Sequence, residues 1–232
     1  MLQVLRVSQC SQGMLVAARK YVQTPIIIRS FNVCQQSQMY SLEKVDNSLL
    51  QTSRCPFGTL LGICENVNVY SCWNSSCPKR GQVHFHEGVF TGLQWQCVEL
   101  ARRYLVVLHN VTFSSIRFAY QLFDPATKFT RLNNDSESVL VDRIDNGASI
   151  LPRVGSLLIW DHGGNMKETG HVAVIIRVED TFVDIIEQNH DDVIWPEGQD
   201  YSRRLECQRT PTSFAIQTPS PNETLLGWIN IS

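Results

Sequence analysis

Residues 92–103 read Gly-Leu-Gln-Trp-Gln-Cys-Val-Glu-Leu-Ala-Arg-Arg and lead into the predicted start of a helix. From Gln96 to Asn110 the apolar side chains recur at the three- and four-residue spacing of an amphipathic helix. Cys97 therefore falls at the helix N-terminus, where the helix dipole and the unpaired N–H groups favour a thiolate. Such a thiol is a candidate nucleophile, although a buried cysteine is more often a small apolar core residue.

A cysteine nucleophile needs a base, a group that orients the base, and donors for the developing oxyanion. His171 begins an apolar run, and Glu187 ends the next one, so two adjacent antiparallel strands would bring their side chains together. Gln96 and the backbone N–H of Cys97 are the candidate oxyanion donors. Each residue taken alone has a commoner structural role, but a helical cysteine that faces a histidine and a glutamate on a sheet is the papain-type arrangement.

The order of the predicted elements indicates an α+β fold. Three short, β-branched runs predict strands at Leu157–Trp160, His171–Ile176 and Phe182–Glu187. A second helix is predicted over Ser115–Phe123, and the polar residues 65–91 are predicted to be mainly loops. We therefore expect N-terminal helices packed on an antiparallel β-sheet.

Composition excludes several classes of protein. Of the 232 residues, 43% are hydrophobic and 18% are charged, which is typical of a soluble globular chain rather than a disordered one. The formal net charge of −2 gives no general attraction for nucleic acid or an anionic membrane. No window of about 18 apolar residues is long enough to cross a bilayer.

The N-terminal region differs from the rest in charge, because residues 1–42 contain four basic side chains and no acidic one. This pattern is typical of an organelle transit peptide or of a disordered extension. We expect residues 1–54 to be an N-terminal extension and residues 55–232 to be the catalytic domain. The expected location is cytoplasmic or mitochondrial, and the basic residues argue against a secretory signal.

Eight cysteines raise the question of a metal site. Cys55, Cys64, Cys72 and Cys77 lie close together but form no C-x-x-C pair, which argues against structural zinc. His84-Phe-His86-Glu87 lacks the helical spacing of a zinc protease motif. We expect no metal.

The quoted helix start resembles the nucleophile motif of the CHAP family, the cysteine, histidine-dependent amidohydrolases/peptidases. Within that family it is most similar to the amidase domains of the glutathionylspermidine synthetase/amidases and the trypanothione synthetase/amidases. The resemblance extends over residues 56–229 and is carried by six segments in the family's order: residues 56–62, 92–103, 155–161, 163–173, 187–189 and 226–228.

The resemblance implies a papain-like fold, with Cys97 as the nucleophile, His171 as the base and Glu187 as the orienting carboxylate. It implies no organic or metal cofactor. Asn189, two residues beyond Glu187, is expected on the same face as a polar support. Arg102 is expected either to bind a substrate carboxylate or to form an internal ion pair.

The substrate implied by the resemblance is a small molecule in which the glycine carboxyl of glutathione is joined to spermidine. One end of such a conjugate is anionic and the other is polycationic. The cleft should therefore offer a basic and an acidic subsite, with Glu87, Asp161 and Glu168 as candidates for the acidic one. No ligase domain is expected in this chain, and Arg103 is expected to face solvent.

Two other functions stay open at this point. Many CHAP domains are peptidoglycan amidases or endopeptidases, but this sequence shows no wall-binding repeat. A non-catalytic binding module or a thiol-redox sensor is the other alternative, in which Cys97 would be oxidised reversibly to a sulfenic acid.

Overall fold

The computed structural model describes residues 54–73 and 81–232. Within these ranges there is one α-helix, α1 (Cys97–His109), and no helix is long and apolar enough to span a membrane. The strands are β1 (Leu60–Cys64), β2 (Val67–Tyr70), β3 (Val83–His86), β4 (Val89–Leu93), β5 (Val111–Phe113), β6 (Phe129–Arg131), β7 (Asn134–Ser138), β8 (Val141–Asp145), β9 (Leu157–Trp160), β10 (His171–Val178), β11 (Phe182–Ile186), β12 (Arg203–Thr210), β13 (Ser213–Ile216) and β14 (Leu225–Ile231). Two 3-10 helices lie at Ala119–Phe123 and Gly164–Met166.

Seven strands form one antiparallel sheet in the order β13-β12-β11-β10-β9-β14-β8. Three smaller sheets pair β1 with β2, β3 with β4, and β6 with both β5 and β7. In the large sheet Val174 of β10 lies opposite Ile186 of β11. Because the two strands are antiparallel and adjacent, the first residue of β10 and the last residue of β11 lie at the same end of the strand pair.

The core has two layers because successive side chains of a strand point to opposite faces. Leu157 and Ile159 of β9 pack in the cluster that contains the apolar side chains of α1. Leu158 and Trp160, from the same strand, pack in the cluster on the other face. Helix α1 is thus fixed on one face of the sheet, with its N-terminus near the first residue of β10.

The structure confirms the predicted helix after Gln96 and the three predicted strands of the second half. The expectation of several N-terminal helices is not confirmed, because the described residues contain α1 alone as an α-helix. Residues 65–91 are also less irregular than expected, since β2, β3 and the first residues of β4 fall there. The burial of β2 alternates, and Val67-Asn-Val-Tyr70 carried that period-two signal in the sequence.

The second predicted helix, Ser115–Phe123, is a 3-10 helix limited to Ala119–Phe123. Its N-terminal boundary residue, Phe118, is extended, with φ −132° and ψ 148°. The side-chain oxygen of Gln121 accepts hydrogen bonds from the backbone N–H groups of Arg117 and Phe118. These bonds satisfy two backbone N–H groups without a helical turn, so the 3-10 helix begins only at Ala119.

The predicted N-terminal extension, residues 1–54, lies outside the described residues apart from Arg54. The division at residue 54 and the cytoplasmic or mitochondrial location therefore stay predictions.

Candidate active site

Cys97 is the first residue of α1, and the preceding residue, Gln96, is extended and makes no side-chain cap. The thiol is 8% exposed and interacts with His171 and with the backbone N–H groups of Val98 and Val172. Burial acts to raise the pKa of the thiol, but the charge of His171 and these hydrogen bonds outweigh it, so the pKa of Cys97 is lowered. The helix start therefore favours a thiolate.

His171 is the first residue of β10, and its Nε2 lies 2.9 Å from Oε2 of Glu187. Because Nε2 contacts the carboxylate, Nδ1 is the ring nitrogen that is left to contact the thiol of Cys97. Burial acts to lower the pKa of the imidazole, but Cys97 and Glu187 together hold it well above its ordinary value. Gly170, with φ 63°, permits this placement, because a Cβ there would lie 2.7 Å from the carbonyl oxygen of Trp160.

Glu187 follows the last residue of β11 and is 5% exposed. The pKa of Glu187 is about 2. Burial acts to raise this pKa, but the hydrogen bond from His171 and the charges of Arg203 and His190 lower it by more. The backbone N–H of Glu187 donates to Oγ of Ser202 at 2.9 Å. Thiol, imidazole and carboxylate thus form a continuous chain from the helix to the sheet.

The Gln96 side chain lies at the rim of the same site. Asn189 donates to Oε1 of Gln96 at 2.9 Å, and Nε2 of Gln96 lies 3.3 Å from Sγ of Cys72. Asn189 was expected on the same strand face as Glu187, but β11 ends at Ile186 and Asn189 has a left-handed φ of 61°. Its side chain nevertheless reaches the cleft, because the chain turns back toward α1.

Arg102 lines the cleft and is 4% exposed. Its guanidinium donates to the backbone carbonyls of Thr91, Phe113 and Ser114 and lies 4.1 Å from the ring centroid of Phe113. Its Nε is buried without a hydrogen-bond partner, and none of the ion pairs among the described residues involves it. Burial lowers its pKa to about 10, so the side chain stays cationic at neutral pH.

Arg103 was expected to face solvent, and this was wrong, since the residue is 4% exposed. Its Nε lies 2.7 Å from Oε1 of Glu99, which is fully buried. Glu99 also accepts from Thr91 and Gln188 and contacts His84. The pKa of Glu99 is about 2: burial acts to raise it, and His84 and Arg103 more than offset this.

Gln188 is a buried residue for which the sequence predicted no role. Its amide oxygen accepts from the N–H of Tyr70 and from Arg103, and its amide nitrogen donates to the carbonyl of Gln96 and to Glu99. All of its hydrogen-bonding capacity is used. Because Gln188 directly follows Glu187, it ties the end of β11 to the N-terminus of α1 and so fixes the carboxylate relative to the thiol.

The site opens into a cleft of about 1310 Å³ that is lined by charged residues of both signs. The basic lining residues are Arg54, Arg102, Arg117 and Lys167. The acidic lining residues are Asp191 and Asp192, which follow β11, and Glu223.

The expected acidic candidates Glu87, Asp161 and Glu168 were wrong, since none of them lines the cleft. Within the described ranges, no three His, Cys, Asp or Glu side chains are grouped as metal ligands.

A thiol at a helix start that faces an imidazole and a carboxylate on an antiparallel sheet defines a papain-like site. Residues 88–189 match the family model of the CHAP domain, which confirms the resemblance for this part of the chain.

Three relatives extend the comparison. The chain is 35% identical over 183 residues to the bifunctional glutathionylspermidine synthetase/amidase of Escherichia coli (strain K12), covering 75% of this chain and 29% of that protein. It is 29% identical over 195 residues to a trypanothione synthetase of Crithidia fasciculata, covering 82% of this chain and 29% of that protein. It is 30% identical over 142 residues to a glutathionylspermidine synthase of Crithidia fasciculata, covering 60% of this chain and 19% of that protein. The chain thus spans less than a third of the length of each relative.

Proposed function

We propose that the protein is a cysteine amidase that hydrolyses glutathionylspermidine, or a similar glutathione–polyamine amide, to glutathione and the free polyamine. The observation that carries the proposal is the contact of a low-pKa Cys97 with a high-pKa His171 at the floor of a cleft. The name of the Escherichia coli relative, a synthetase/amidase, supports the choice of reaction and of substrate class.

In the first half of the proposed reaction, the Cys97 thiolate attacks the carbonyl carbon of the amide. The tetrahedral intermediate expels the amine, which takes a proton from the imidazolium of His171. A thioester remains on Cys97, and His171 is now neutral. Glu187 keeps the ring oriented through Nε2, so the same nitrogen, Nδ1, faces the reacting atoms throughout.

In the second half, neutral His171 removes a proton from a water molecule that attacks the thioester. The intermediate releases the acid and restores the thiolate and the imidazolium. No step requires a group outside the described side chains, the substrate and water.

The developing oxyanion is assigned to the N–H of Cys97 and the side-chain amide of Gln96. The oxygen of that amide is held by Asn189, which turns the NH₂ group toward Cys72. Sulfur is a weak hydrogen-bond acceptor, so an oxyanion can replace it at small cost.

Charge along the cleft supports the choice of substrate class. The basic lining residues Arg102, Arg117 and Lys167 suit the carboxylate-bearing glutathionyl part. The acidic lining residues Asp191 and Asp192 suit the cationic amine that leaves. The direct test is to incubate the purified protein with glutathionylspermidine and to quantify free spermidine by mass spectrometry. A folded protein that releases none would refute the substrate, and a peptidoglycan fragment assayed in parallel tests the main alternative.

The reactivity of Cys97 should persist well below the ordinary thiol pKa. We expect the rate of its alkylation by iodoacetamide to titrate with a midpoint below pH 9, because His171 stabilises the thiolate. In a His171→Gln variant the midpoint should rise to about 9 or above, since burial then acts without a compensating charge. Peptide mass spectrometry identifies the alkylated residue, and equal midpoints in the two proteins would contradict the ion pair.

Arg102 should govern substrate binding rather than chemistry. We expect Arg102→Met to raise KM by about 10- to 100-fold with a smaller change in kcat, because a charge-assisted hydrogen bond contributes about 1.5–3 kcal/mol. An analogue whose α-carboxylate is converted to an amide should show little difference between the two proteins. An equal loss with both substrates would mean that Arg102 supports the fold and does not bind the carboxylate.

A further inference from the structure

Arg203, the first residue of β12, forms an ion pair with the carboxylate of Glu187. Its Nη2 donates a hydrogen bond to Oε2 of Glu187 at 3.1 Å, and its Nε lies 2.9 Å from Oε1, an ion-pair distance without hydrogen-bond geometry. Oε2 also contacts Nε2 of His171 at 2.9 Å. The side chain of Arg203 is 14% exposed, and the residue is not among the described residues that line the cleft. Its direct polar contact with the site is therefore the one with Glu187, and its guanidinium also lies 5.8 Å from the ring centroid of Trp160.

The other basic groups near Glu187 are two imidazoles, those of His190 and His171. His190 lies 3.9 Å from Oε1 of Glu187 through Nδ1 and 3.0 Å from Asp191. His171 is the imidazole that exchanges protons in the proposed reaction. Arg203 is the neighbour whose charge is permanent, because a guanidinium does not lose its proton in the working pH range.

We propose that Arg203 is a positioning residue of the reaction, which keeps Glu187 ionised and fixes the plane of its carboxylate against His171. A planar guanidinium that engages both carboxylate oxygens leaves the carboxylate little freedom to rotate. A carboxylate that stays charged cannot take the proton from His171, so the imidazolium is kept for the leaving amine. The kinetic part of this inference rests on the proposed function, whereas its effect on the Cys97 thiolate does not.

A matched control lies one residue further along β12. Arg204 donates two hydrogen bonds to Asp184, with Nε at 2.7 Å and Nη2 at 2.9 Å, so it also spans both oxygens of a carboxylate. Asp184 is fully buried and keeps Arg177 as a second partner at 3.0 Å. Arg204→Met therefore removes a comparable ion pair from the same strand without touching the site.

The test measures kcat and KM on glutathionylspermidine, and the pH dependence of Cys97 alkylation, in Arg203→Met, Arg203→Lys and Arg204→Met. We expect Arg203→Met to lower kcat by about 10- to 100-fold, with KM within about twofold of wild type. The low-pH side of the alkylation profile (its acid limb) should move up by about one pH unit in this variant, because Glu187 protonates more easily without the guanidinium. Arg203→Lys should keep the acid limb of wild type, since the positive charge remains. Its kcat should nevertheless be below that of wild type, since the planar guanidinium that spans both carboxylate oxygens is lost. Arg204→Met should match wild type in both.

The proposal is overturned if Arg203→Met and Arg204→Met give the same kcat and the same alkylation profile. Where Arg203→Met does not fold, Arg203→Lys decides, and wild-type kcat in that variant overturns the proposal. If wild type releases no spermidine but the acid limb of alkylation still shifts in Arg203→Met alone, the proposed function fails and the role of Arg203 stands.

Discussion

Replacing Cys97 with alanine is expected to lower kcat for spermidine release by about ten-thousand-fold or more. The thiolate sulfur is the atom that forms the thioester, and an alanine side chain has no nucleophilic atom. The contacts that lower a thiol pKa, from His171 and two backbone N–H groups, converge on Cys97. The measurement is the initial rate of release by mass spectrometry, at equal concentrations of folded protein.

Cys207 supplies a matched control for that variant. It is buried to the same extent as Cys97, at 8% exposure, but burial raises the pKa of its thiol to about 12. Cys207→Ala removes a similar volume from the core and should keep close to wild-type kcat. Residual activity above about a hundredth of wild type in Cys97→Ala, with an unchanged near-ultraviolet spectrum, would contradict the assignment of the nucleophile.

Removing Cys97 should also change the titration of its partner. Part of the elevation of the His171 pKa comes from the charge of Cys97 and its hydrogen bond. In Cys97→Ala that contribution is gone while burial still favours the neutral ring, so the pKa of His171 should fall. NMR titration of the imidazole in the Cys97→Ser and Cys97→Ala proteins would measure this shift independently of any substrate.

The sequence was informative where a local period or a local motif carries the information. The spacing of apolar residues after Gln96 predicted α1, and the β-branched runs predicted β9, β10 and β11. Adjacent antiparallel strands were expected to join His171 and Glu187, and their side chains lie 2.9 Å apart. A short segment without a clear hydrophobic period was less informative. This is why residues 115–118, before Ala119, were wrongly predicted to be helical.

Contacts between distant parts of the chain could not be predicted in this way. Gln188 bonds to Gln96 and Glu99 across about ninety residues, and no motif marks it as a link. Arg203 lies 16 residues after Glu187 on another strand, and its role depends on the register of β11 and β12. Such placements follow from the topology of the sheet rather than from neighbours in sequence.

The error at Arg103 has a different cause. Glu99 and Arg103 are four residues apart, which is the spacing of an ion pair on one helix face, so the signal was present. An amphipathic helix was assumed to have one buried face, which left these charges in solvent. Helix α1 is instead packed on nearly all sides, and its charged side chains are buried as a bonded network.

That network leads to the largest expected effect on stability. We expect Arg103→Met to lower the free energy of unfolding by about 3–5 kcal/mol, because it leaves the carboxylate of Glu99 buried without its bidentate partner. A loss of this size is a large part of the 5–15 kcal/mol typical of a domain. Urea unfolding followed by tryptophan fluorescence measures it. Arg177→Met is the control, since its partner Asp184 keeps Arg204, and it should cost about 1 kcal/mol or less.

The pH dependence of the free energy of unfolding distinguishes the loss of the Glu99–Arg103 ion pair from a loss of packing. In wild type the pKa of Glu99 is about 2, below its ordinary 4.5, so its contribution to stability is present above pH 4.5 and is lost as the pH falls toward 2. Without Arg103 the pKa of Glu99 rises and this contribution to stability shrinks. The difference in free energy of unfolding between wild type and Arg103→Met should therefore become smaller as the pH is lowered from 7 to 4. The double variant Arg103→Met/Glu99→Gln should recover part of the loss at pH 7, because no buried charge then remains unpaired. A difference that is the same at every pH, with no recovery in the double variant, would show that Arg103 contributes packing alone.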